Sequence, residues 1–287
     1  MRCFILWKAS PVPIVTVSRE LGSLGTQVAA TLCERLGYAR LDKESLEALL
    51  RNYGMSRHQF ERDDEKEPGF WERCRSGRLR YLDFMKMAMY RFAVERDCVI
   101  LGRGAHIIFR DVPGTLRLRF IASLGVRAAR LCERFGIDEA RALCLIRDND
   151  RERAGYHRYF FDASVDAPTE YDLLINTSDM SLGDICDTVL TLLRSPTYAR
   201  AQERTRETLR DLCIAQGVTV DLLYRDRAPV VSLSVQCAKG VVTLNGTARS
   251  AAAIDQCTAV ARSAKGVSGV CCNLKVQEYP VSMDWRL

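Results

Sequence analysis

The sequence lacks any long hydrophobic run. No stretch approaches 18 apolar residues, and the apolar segment Cys3–Trp7 is interrupted by a lysine and two prolines soon afterwards. A membrane span needs about 20 apolar residues, and a signal peptide needs a longer apolar core than this segment provides. We therefore expect no transmembrane segment and a cytoplasmic protein.

A clustered basic stripe is also missing. The 42 lysines and arginines exceed the 36 acidic residues and give a formal charge of +6, but the arginines are spread along the chain. Nucleic-acid surfaces usually concentrate their positive charge on one face or helix. We predict no nucleic-acid partner, and anionic small molecules fit the arginines equally well. Apolar residues make up 47% of the chain, which excludes global disorder.

Zinc-binding patterns are absent as well. The chain has twelve cysteines but no Cys-x-x-Cys pair, and its three histidines, His58, His106 and His157, lie far apart. We predict no protein metal site and buried free thiols in a reducing cytosol. Cys271 and Cys272 are adjacent in an expected strand, so they should point to opposite faces.

The length of 287 residues suggests two domains. Short β-branched runs such as IVTV and CVILG alternate with amphipathic helices as far as residue 196. This alternation predicts an α/β fold with a doubly wound parallel sheet. Met85, Met87 and Met89 fall in one such helix and should fill the core, while the charged segment Met55–Gly77 reads as a solvated connection.

The pattern changes after residue 200. Apolar and polar residues alternate on both sides of Lys239-Gly240, which predicts a β-hairpin. A helix and a last strand follow, so the C-terminal part should be a small α+β domain. We place the two domains at residues 12–196 and 203–277.

The stretch SRELGSLGT, Ser18–Thr26, lies between the first strand and the first helix. A phosphate-binding loop needs small residues and open backbone amides at a helix N-terminus, and Gly22, Gly25 and Thr26 suit that requirement. Against the pattern GxxxxGK[ST], however, Leu24 takes the second glycine and Gly25 takes the lysine. The stretch is either a variant phosphate site or an ordinary turn.

Arginines follow at positions that suit phosphate chemistry. Arg103 ends a predicted central strand, where ligands of open α/β sheets bind, although a surface salt bridge would also explain it. Two further helices are rich in arginine, and guanidinium groups can stabilise a transferred phosphoryl group. A solvated helix face is the alternative. The residues of these helices are Arg127, Arg130, Arg134, Arg147, Arg151, Arg153 and Arg158, with Asp148 and Asp150 among them.

Six motifs together resemble the cytidylate-kinase-like family. They run in the family's order across residues 14 to 193, and they are VTVSRELGSLG, LGYARLD, VILGRGAHII, LRLRFIASLGVRAARL, IRDNDRERAGYHRYFFD and YDLLINTS. The resemblance implies a P-loop nucleoside monophosphate kinase fold with a helical lid. It also implies ATP and Mg²⁺ as cofactors, and phosphoryl transfer to a nucleoside monophosphate.

The resemblance assigns roles to individual positions. Asp42 and Arg103 would bind the acceptor, with Arg103 on its phosphate, and Asp150 with Arg153 matches the Asp-x-x-Arg of the lid. The residues expected to bind ATP are Ser18, Arg19, Gly22, Ser23, Gly25, Thr26 and Arg130. The residues expected to be catalytic are Arg103, Arg127, Arg147, Asp150 and Arg153.

Members of this branch often read SREFGSGGRE, so the missing lysine resembles the family, and its positive charge must come from elsewhere, from Arg19 or from the lid. The loop departs from the family in two ways: Leu24 stands in place of glycine, and Thr26-Gln27 stands in place of Arg-Glu. The side chain of Leu24 could crowd the phosphates.

The C-terminal part resembles a BON domain, with the hairpin GVVTLNG and the approach GVSGV to the last strand. That family consists of binding modules, often associated with envelope or phospholipid contexts, so a protein or phospholipid ligand is implied. Two functions remain open: an ATP-dependent kinase with a BON binding module, or a catalytically weak nucleotide sensor whose BON domain recruits a partner or membrane. A wholly structural role would require that no nucleotide binds.

Overall fold

The computed structural model describes residues 14–55 and 75–277. The chain divides into two compact units, Met1–Arg206 and Glu207–Leu287. Most of the charged segment predicted as a solvated connection falls on residues 56–74, outside the described residues. The N-terminal segment Cys3–Trp7 also lies outside them.

Among the described residues of the first unit, five parallel strands form one sheet in the order β2-β3-β1-β4-β5. The strands are β1 (Ile14–Arg19), β2 (Ala39–Leu41), β3 (Cys98–Leu101), β4 (Leu116–Ile121) and β5 (Leu173–Asn176). Their short β-branched runs suit a sheet covered on both faces by helices. The predicted doubly wound parallel sheet is confirmed.

Helices connect these strands. They are α1 (Gly25–Leu36), α2 (Lys43–Asn52), α3 (Arg75–Glu95), α4 (Ala105–Ile108), α5 (Leu124–Phe135), α6 (Glu139–Phe161), α7 (Leu182–Leu193) and α8 (Pro196–Val220). Gly37 ends α1 with φ 70° and donates its N–H to Cys33, as a C-terminal glycine cap does. Met85, Met87 and Met89 on α3 are fully buried, as predicted.

The main core of the first unit lies between the sheet and helices α1 and α7. Val15 and Phe120 from the sheet, Leu32 from α1 and Val189 from α7 have no exposed surface. Each such side chain contributes about 1.5–3 kcal/mol when it leaves water. This packing fixes β1 at the centre of the sheet, where Val17 pairs with Leu101 and Arg19 pairs with Phe120. The loops after β1, β3 and β4 therefore open at one edge.

The second unit is a small α+β fold. It contains the end of α8, a π-helical turn (Asp221–Arg225), β6 (Val230–Ala238), β7 (Val241–Ala248), α9 (Ala251–Ser263) and β8 (Gly269–Val276). β6 and β7 are antiparallel and β8 lies parallel to β7. The predicted hairpin turn is confirmed at Lys239-Gly240, where both residues have positive φ, and Asp211 accepts hydrogen bonds from both turn amides at 2.8 and 3.0 Å.

The cysteines fulfil the predictions only in part. All ten cysteines in the described ranges are free thiols. The expectation that they are buried is wrong for Cys144 and Cys271, which are exposed, because each lies on the solvent face of its helix or strand. Cys272 packs against the core of the second unit while Cys271 does not, so the predicted opposite orientation is confirmed. Over the described ranges, no helix is long and apolar enough to cross a membrane.

Candidate functional site

The loop between β1 and α1 forms a compact turn at the edge of the sheet. Ser23 is fully buried and donates both its N–H and its hydroxyl to the carbonyl of Glu20, while Thr177 donates to the carbonyl of Ser23. Among the residues that the structure describes, no side chain caps the N-terminus of α1, and the first turn of this helix contains no acidic residue. The first amides of α1 are therefore open to an anion, whose charge the helix dipole also favours.

Two glycines let the backbone close tightly here. Gly22 has φ 83°, and a β-carbon at this position would lie 2.9 Å from the carbonyl oxygen of Arg127. A β-carbon on Gly25 would lie 2.5 Å from the β-carbon of Arg19. Any larger residue at either position would have to displace Arg127 or Arg19, so both positions require glycine. A backbone without side chains at these positions suits a loop that a phosphate approaches closely.

Leu24 adopts a backbone conformation that leucine rarely takes. It lies between these two glycines with φ 62° and ψ −5°, in the left-handed region that costs an L-residue roughly 1–2 kcal/mol. Its side chain is half-buried and packs against the main core of the first unit, yet it also borders the cavity beside the loop. That it crowds a bound phosphate remains a prediction.

Two arginines of α5 hold the loop through hydrogen bonds to its backbone carbonyls. Arg127, 5% exposed, donates to the carbonyl of Leu21 at 2.8 Å and to both carboxylate oxygens of Asp150 at 2.8 and 2.9 Å. Arg130 donates to the carbonyl of Gly22 at 3.2 Å and to Thr177. Both guanidinium groups are therefore engaged with backbone and side chains of the protein, and they fix the loop geometry.

Two cavities flank this loop. The loop cavity, about 140 Å³, is bordered by residues of the loop together with Arg130 and Arg134. The second cavity, about 260 Å³, lies at the carboxyl ends of β1 and β3 and is bordered by Ser18, Arg103 and Tyr156, among others. Three residues, Arg19, Asn149 and Arg153, border both cavities. They mark the place where ligands in the two cavities would meet.

In the described part of the chain, neither shared arginine forms an ion pair with a carboxylate. Burial and the nearby charge of Arg19 lower the pKa of Arg153 to about 10, and burial and Arg103 lower the pKa of Arg19. Nη2 of Arg153 donates to Asn149 at 2.7 Å, but Nη1 is buried and has no hydrogen-bond partner among the described residues. A buried donor without a partner is costly, so the arrangement favours an anion between the cavities.

Arg103 lies at the mouth of the second cavity in a strained loop. Its φ of 52° falls between Gly102 and Gly104, which also have positive φ. The guanidinium stacks on Tyr156 with 5.1 Å to the ring centroid and lies 3.7 Å from a carboxylate oxygen of Glu47. Backbone strain of this kind concentrates at functional sites.

Not every predicted site residue borders a cavity. Asp42 caps α2 by accepting from the Ser45 amide and pairs with Arg40, and its neighbour Lys43 borders the second cavity instead. Arg147 is exposed on α6 and borders neither cavity. Arg127 and Asp150 form hydrogen bonds with each other next to the loop. They therefore lie close to the site, but neither borders a cavity.

Sequence reasoning missed Asn149, Tyr156 and His157. Arg153, Tyr156 and His157 follow Asn149 by four, seven and eight residues, which places them on one face of α6, and this helical periodicity was the available signal. His157 is 3% exposed and donates from Nδ1 to the carbonyl of Arg153 at 2.9 Å, because a carbonyl can only accept. Burial lowers its pKa, so the imidazole is neutral.

Comparison with solved structures agrees with the fold. A protein from Eubacterium ventriosum is 23% identical with a TM-score of 0.50, covering 63% of this chain and 97% of that chain. Shikimate kinase from Bacteroides thetaiotaomicron is 14% identical with a TM-score of 0.38, covering 63% of this chain and 98% of its own. The first of these likenesses supports the parallel α/β architecture of the first unit.

A curated relative matches over a shorter stretch. The chain is 36% identical over 110 residues to uronate isomerase from Corynebacterium glutamicum, which is 38% of this chain and 20% of that protein. The chain thus spans about a fifth of the length of that relative.

Family models match both units. Residues 212–278 match the BON domain, and residues 14–179, which contain the loop, both cavities and the shared arginines, match the cytidylate kinase-like family. The chain therefore has a cytidylate kinase-like domain followed by a region that matches the BON domain, and it belongs to the cytidylate kinase-like family.

Proposed function

We propose that this protein is a nucleoside monophosphate kinase that transfers the γ-phosphoryl group of ATP to a cytidylate-like acceptor. The observation that carries the proposal is the pair of cavities joined at Arg19 and Arg153, which are half-buried and form no ion pair with a carboxylate within the described ranges. A donor phosphate in one cavity and an acceptor in the other would bring the reacting oxygens to these two cations.

The residues of the loop cavity fit a polyphosphate. Gly22 and Gly25 give close access to the backbone, and Gly25, Thr26 and Gln27 from the first turn of α1 border the cavity. ATP supplies the phosphoryl group that is transferred. Within the described residues no three carboxylate, histidine or cysteine side chains gather as a metal site. We therefore propose that Mg²⁺ would be held mainly by ATP oxygens, with the Thr26 hydroxyl as the candidate protein ligand on the loop.

Side chains of this protein would bind the two substrates, orient them and neutralise the negative charge of their phosphates. Arg103 and Lys43 border the second cavity and would bind the acceptor phosphate. Arg19 and Arg153 would stabilise negative charge on the migrating group, because guanidinium donors in a buried site act with little screening. Arg127 and Asp150 would hold the loop in position. The predicted binding of the acceptor nucleotide by Asp42 stays part of the proposal.

The BON domain adds a binding function. We propose that the kinase and BON domains correspond to residues 12–196 and 203–277, and that the BON domain binds a protein or a phospholipid surface. The ten free thiols found in the described ranges suit a reducing compartment, so we place the protein in the cytoplasm. Flotation with anionic vesicles would separate the lipid alternative from the protein alternative.

A coupled assay with ATP, Mg²⁺ and a panel of nucleoside monophosphates tests the kinase proposal. We expect turnover with at least one pyrimidine monophosphate. Folded protein that turns over none of the acceptors would contradict it.

A nucleotide sensor is the second candidate function, and the strained Leu24 in the loop favours it. It predicts that ATP raises Tm without any phosphoryl transfer. Turnover in the coupled assay would exclude this candidate.

A further inference from the structure

The loop has glycine where a phosphate-binding loop carries its lysine. Aligned to GxxxxGK[ST], the lysine position is Gly25, the first residue of α1. That lysine normally reaches the β- and γ-phosphates, and its charge is a large part of nucleotide binding. A loop without it needs a cation from another element, placed over the same end of the helix.

Arg19 passes through the space that such a lysine would need. A β-carbon built on Gly25 would lie 2.5 Å from Cβ and 3.1 Å from Cγ of Arg19. Contacts under 3.0 Å with a β-carbon next to the backbone cannot be relieved by rotating the end of a side chain. A lysine at position 25 and an arginine at position 19 therefore exclude each other in this backbone.

The guanidinium of Arg19 ends where a phosphate-binding cation should be. Its Nε lies 3.5 Å from the hydroxyl of Thr26, and its Nη1 would lie 2.6 Å from a β-carbon placed on Gly102, so it spans from the loop to the turn after β3. It borders both cavities, and it forms no ion pair with a carboxylate in the part of the chain that the structure describes. Burial and the charge of Arg103 lower its pKa more than Asp42 and Glu44 raise it, so a bound anion would offset both the burial and the repulsion by Arg103.

We infer that Arg19 replaces the missing lysine, and that Gly25 is glycine because the stem of Arg19 occupies the lysine's path. This inference rests on the proposed function, because it identifies the anion that Arg19 binds as the polyphosphate of a nucleotide. It selects Arg19 over the helical lid as the source of the positive charge. It also explains by one steric exclusion why position 25 carries neither the lysine of the pattern GxxxxGK[ST] nor any other side chain.

Calorimetric titration with inorganic tripolyphosphate tests the charge. Arg19→Met keeps the apolar stem and should weaken binding about 10- to 100-fold, as loss of a charged hydrogen bond does, whereas Arg19→Lys should stay within about threefold of the wild type. Arg151→Met is the matched control, because Arg151 is an exposed residue of α6 that borders neither cavity. Wild-type protein that binds no tripolyphosphate, or an Arg19→Met variant that binds it as tightly, would overturn the inference.

A residue exchange tests the steric part without any ligand. Gly25→Lys alone should lower Tm by roughly 5 °C through overpacking, and the same substitution in the Arg19→Gly background should cost clearly less. Phe120 Cδ2, 3.0 Å from the added β-carbon, must shift in both backgrounds, so some cost remains. The double variant should also bind tripolyphosphate more tightly than Arg19→Gly alone. An equal loss of Tm in both backgrounds would overturn the exclusion.

The two proposals fail separately. Tripolyphosphate binding that depends on Arg19, without transfer to any monophosphate, would refute the kinase and leave the replacement of the lysine in place. Phosphoryl transfer that persists at the wild-type rate in Arg19→Met would refute the replacement of the lysine by Arg19 and leave the kinase proposal in place.

Discussion

The side-chain oxygen of Asn149 accepts a hydrogen bond of 2.7 Å from Nη2 of Arg153, one turn further along α6. This bond leaves Nη1 of Arg153 as the buried donor at the junction of the two cavities. Asn149 therefore orients the guanidinium of Arg153, and we expect it to act as a positioning residue for the proposed reaction.

We expect Asn149→Leu to lower kcat about tenfold with little change in Tm, because Arg153 loses the partner that orients it. Asn149→Gln, which keeps an amide, should recover part of the loss. The decisive comparison is the double variant with Arg153→Met. If Asn149 acts through Arg153, the double variant turns over no more slowly than Arg153→Met alone, whereas additive losses would rule out this coupling.

Arg153→Met should separate catalysis from stability. Removing a buried cation that is repelled by Arg19 should leave Tm unchanged or raise it, while the retained apolar stem preserves packing. Turnover should fall at least about 100-fold, the usual effect of deleting one donor to a transition state. Parallel measurements of kcat and thermal unfolding test this, with Arg151→Met as control. An unchanged rate would remove Arg153 from the site.

Leu24→Gly and Leu24→Ala distinguish crowding from backbone strain. Both variants remove the side chain from the loop cavity, so both should gain ATP affinity if the leucine crowds the phosphates. Only glycine relieves the φ of 62°, so Leu24→Gly should be more stable than Leu24→Ala by about 1–2 kcal/mol. Titration calorimetry and denaturant unfolding measure the two effects. Equal ATP affinity in both variants and the wild type would refute crowding.

Arg127→Met tests the support beneath the loop. It leaves the carboxylate of Asp150 and the carbonyl of Leu21 without their donor, so we expect a loss of about 2–3 kcal/mol in the free energy of unfolding. This is less than for a fully buried pair, because Asp150 is 41% exposed. Faster amide exchange at Gly22 and Ser23 should accompany it. Stability and exchange rates equal to those of Arg151→Met would contradict a supporting role.

The alternation of strands and helices was predictable because hydrophobic periodicity determines which elements form. The hairpin at Lys239-Gly240 was equally visible, since that turn needs residues that accept positive φ. The strands, helices and hairpin turn depend on the residues within each segment, so the sequence of the segment is enough to predict them.

The partners of the site arginines were not predictable. The pattern Asp-x-x-Arg suggests that Asp150 serves Arg153, and spacings of three and four residues on a helix are both close enough for contact. In the structure Arg127 from α5 binds Asp150 with two hydrogen bonds, and Arg153 bonds with Asn149 instead. The packing of α5 on α6 determines these hydrogen-bond partners, and the spacing of residues within one helix does not predict contacts between two helices. The left-handed backbone at Leu24 is similarly hidden, because leucine gives no signal of it.

Binding of a linked bisubstrate ligand, adenosine joined to cytidine through five phosphates, tests the account most directly. If the loop cavity and the second cavity hold donor and acceptor and meet at Arg19 and Arg153, the linked ligand should bind at least about 100-fold more tightly than ATP. Arg153→Met should remove most of that advantage. A linked ligand that binds no more tightly than ATP would contradict the claim that the two cavities form one phosphoryl-transfer site.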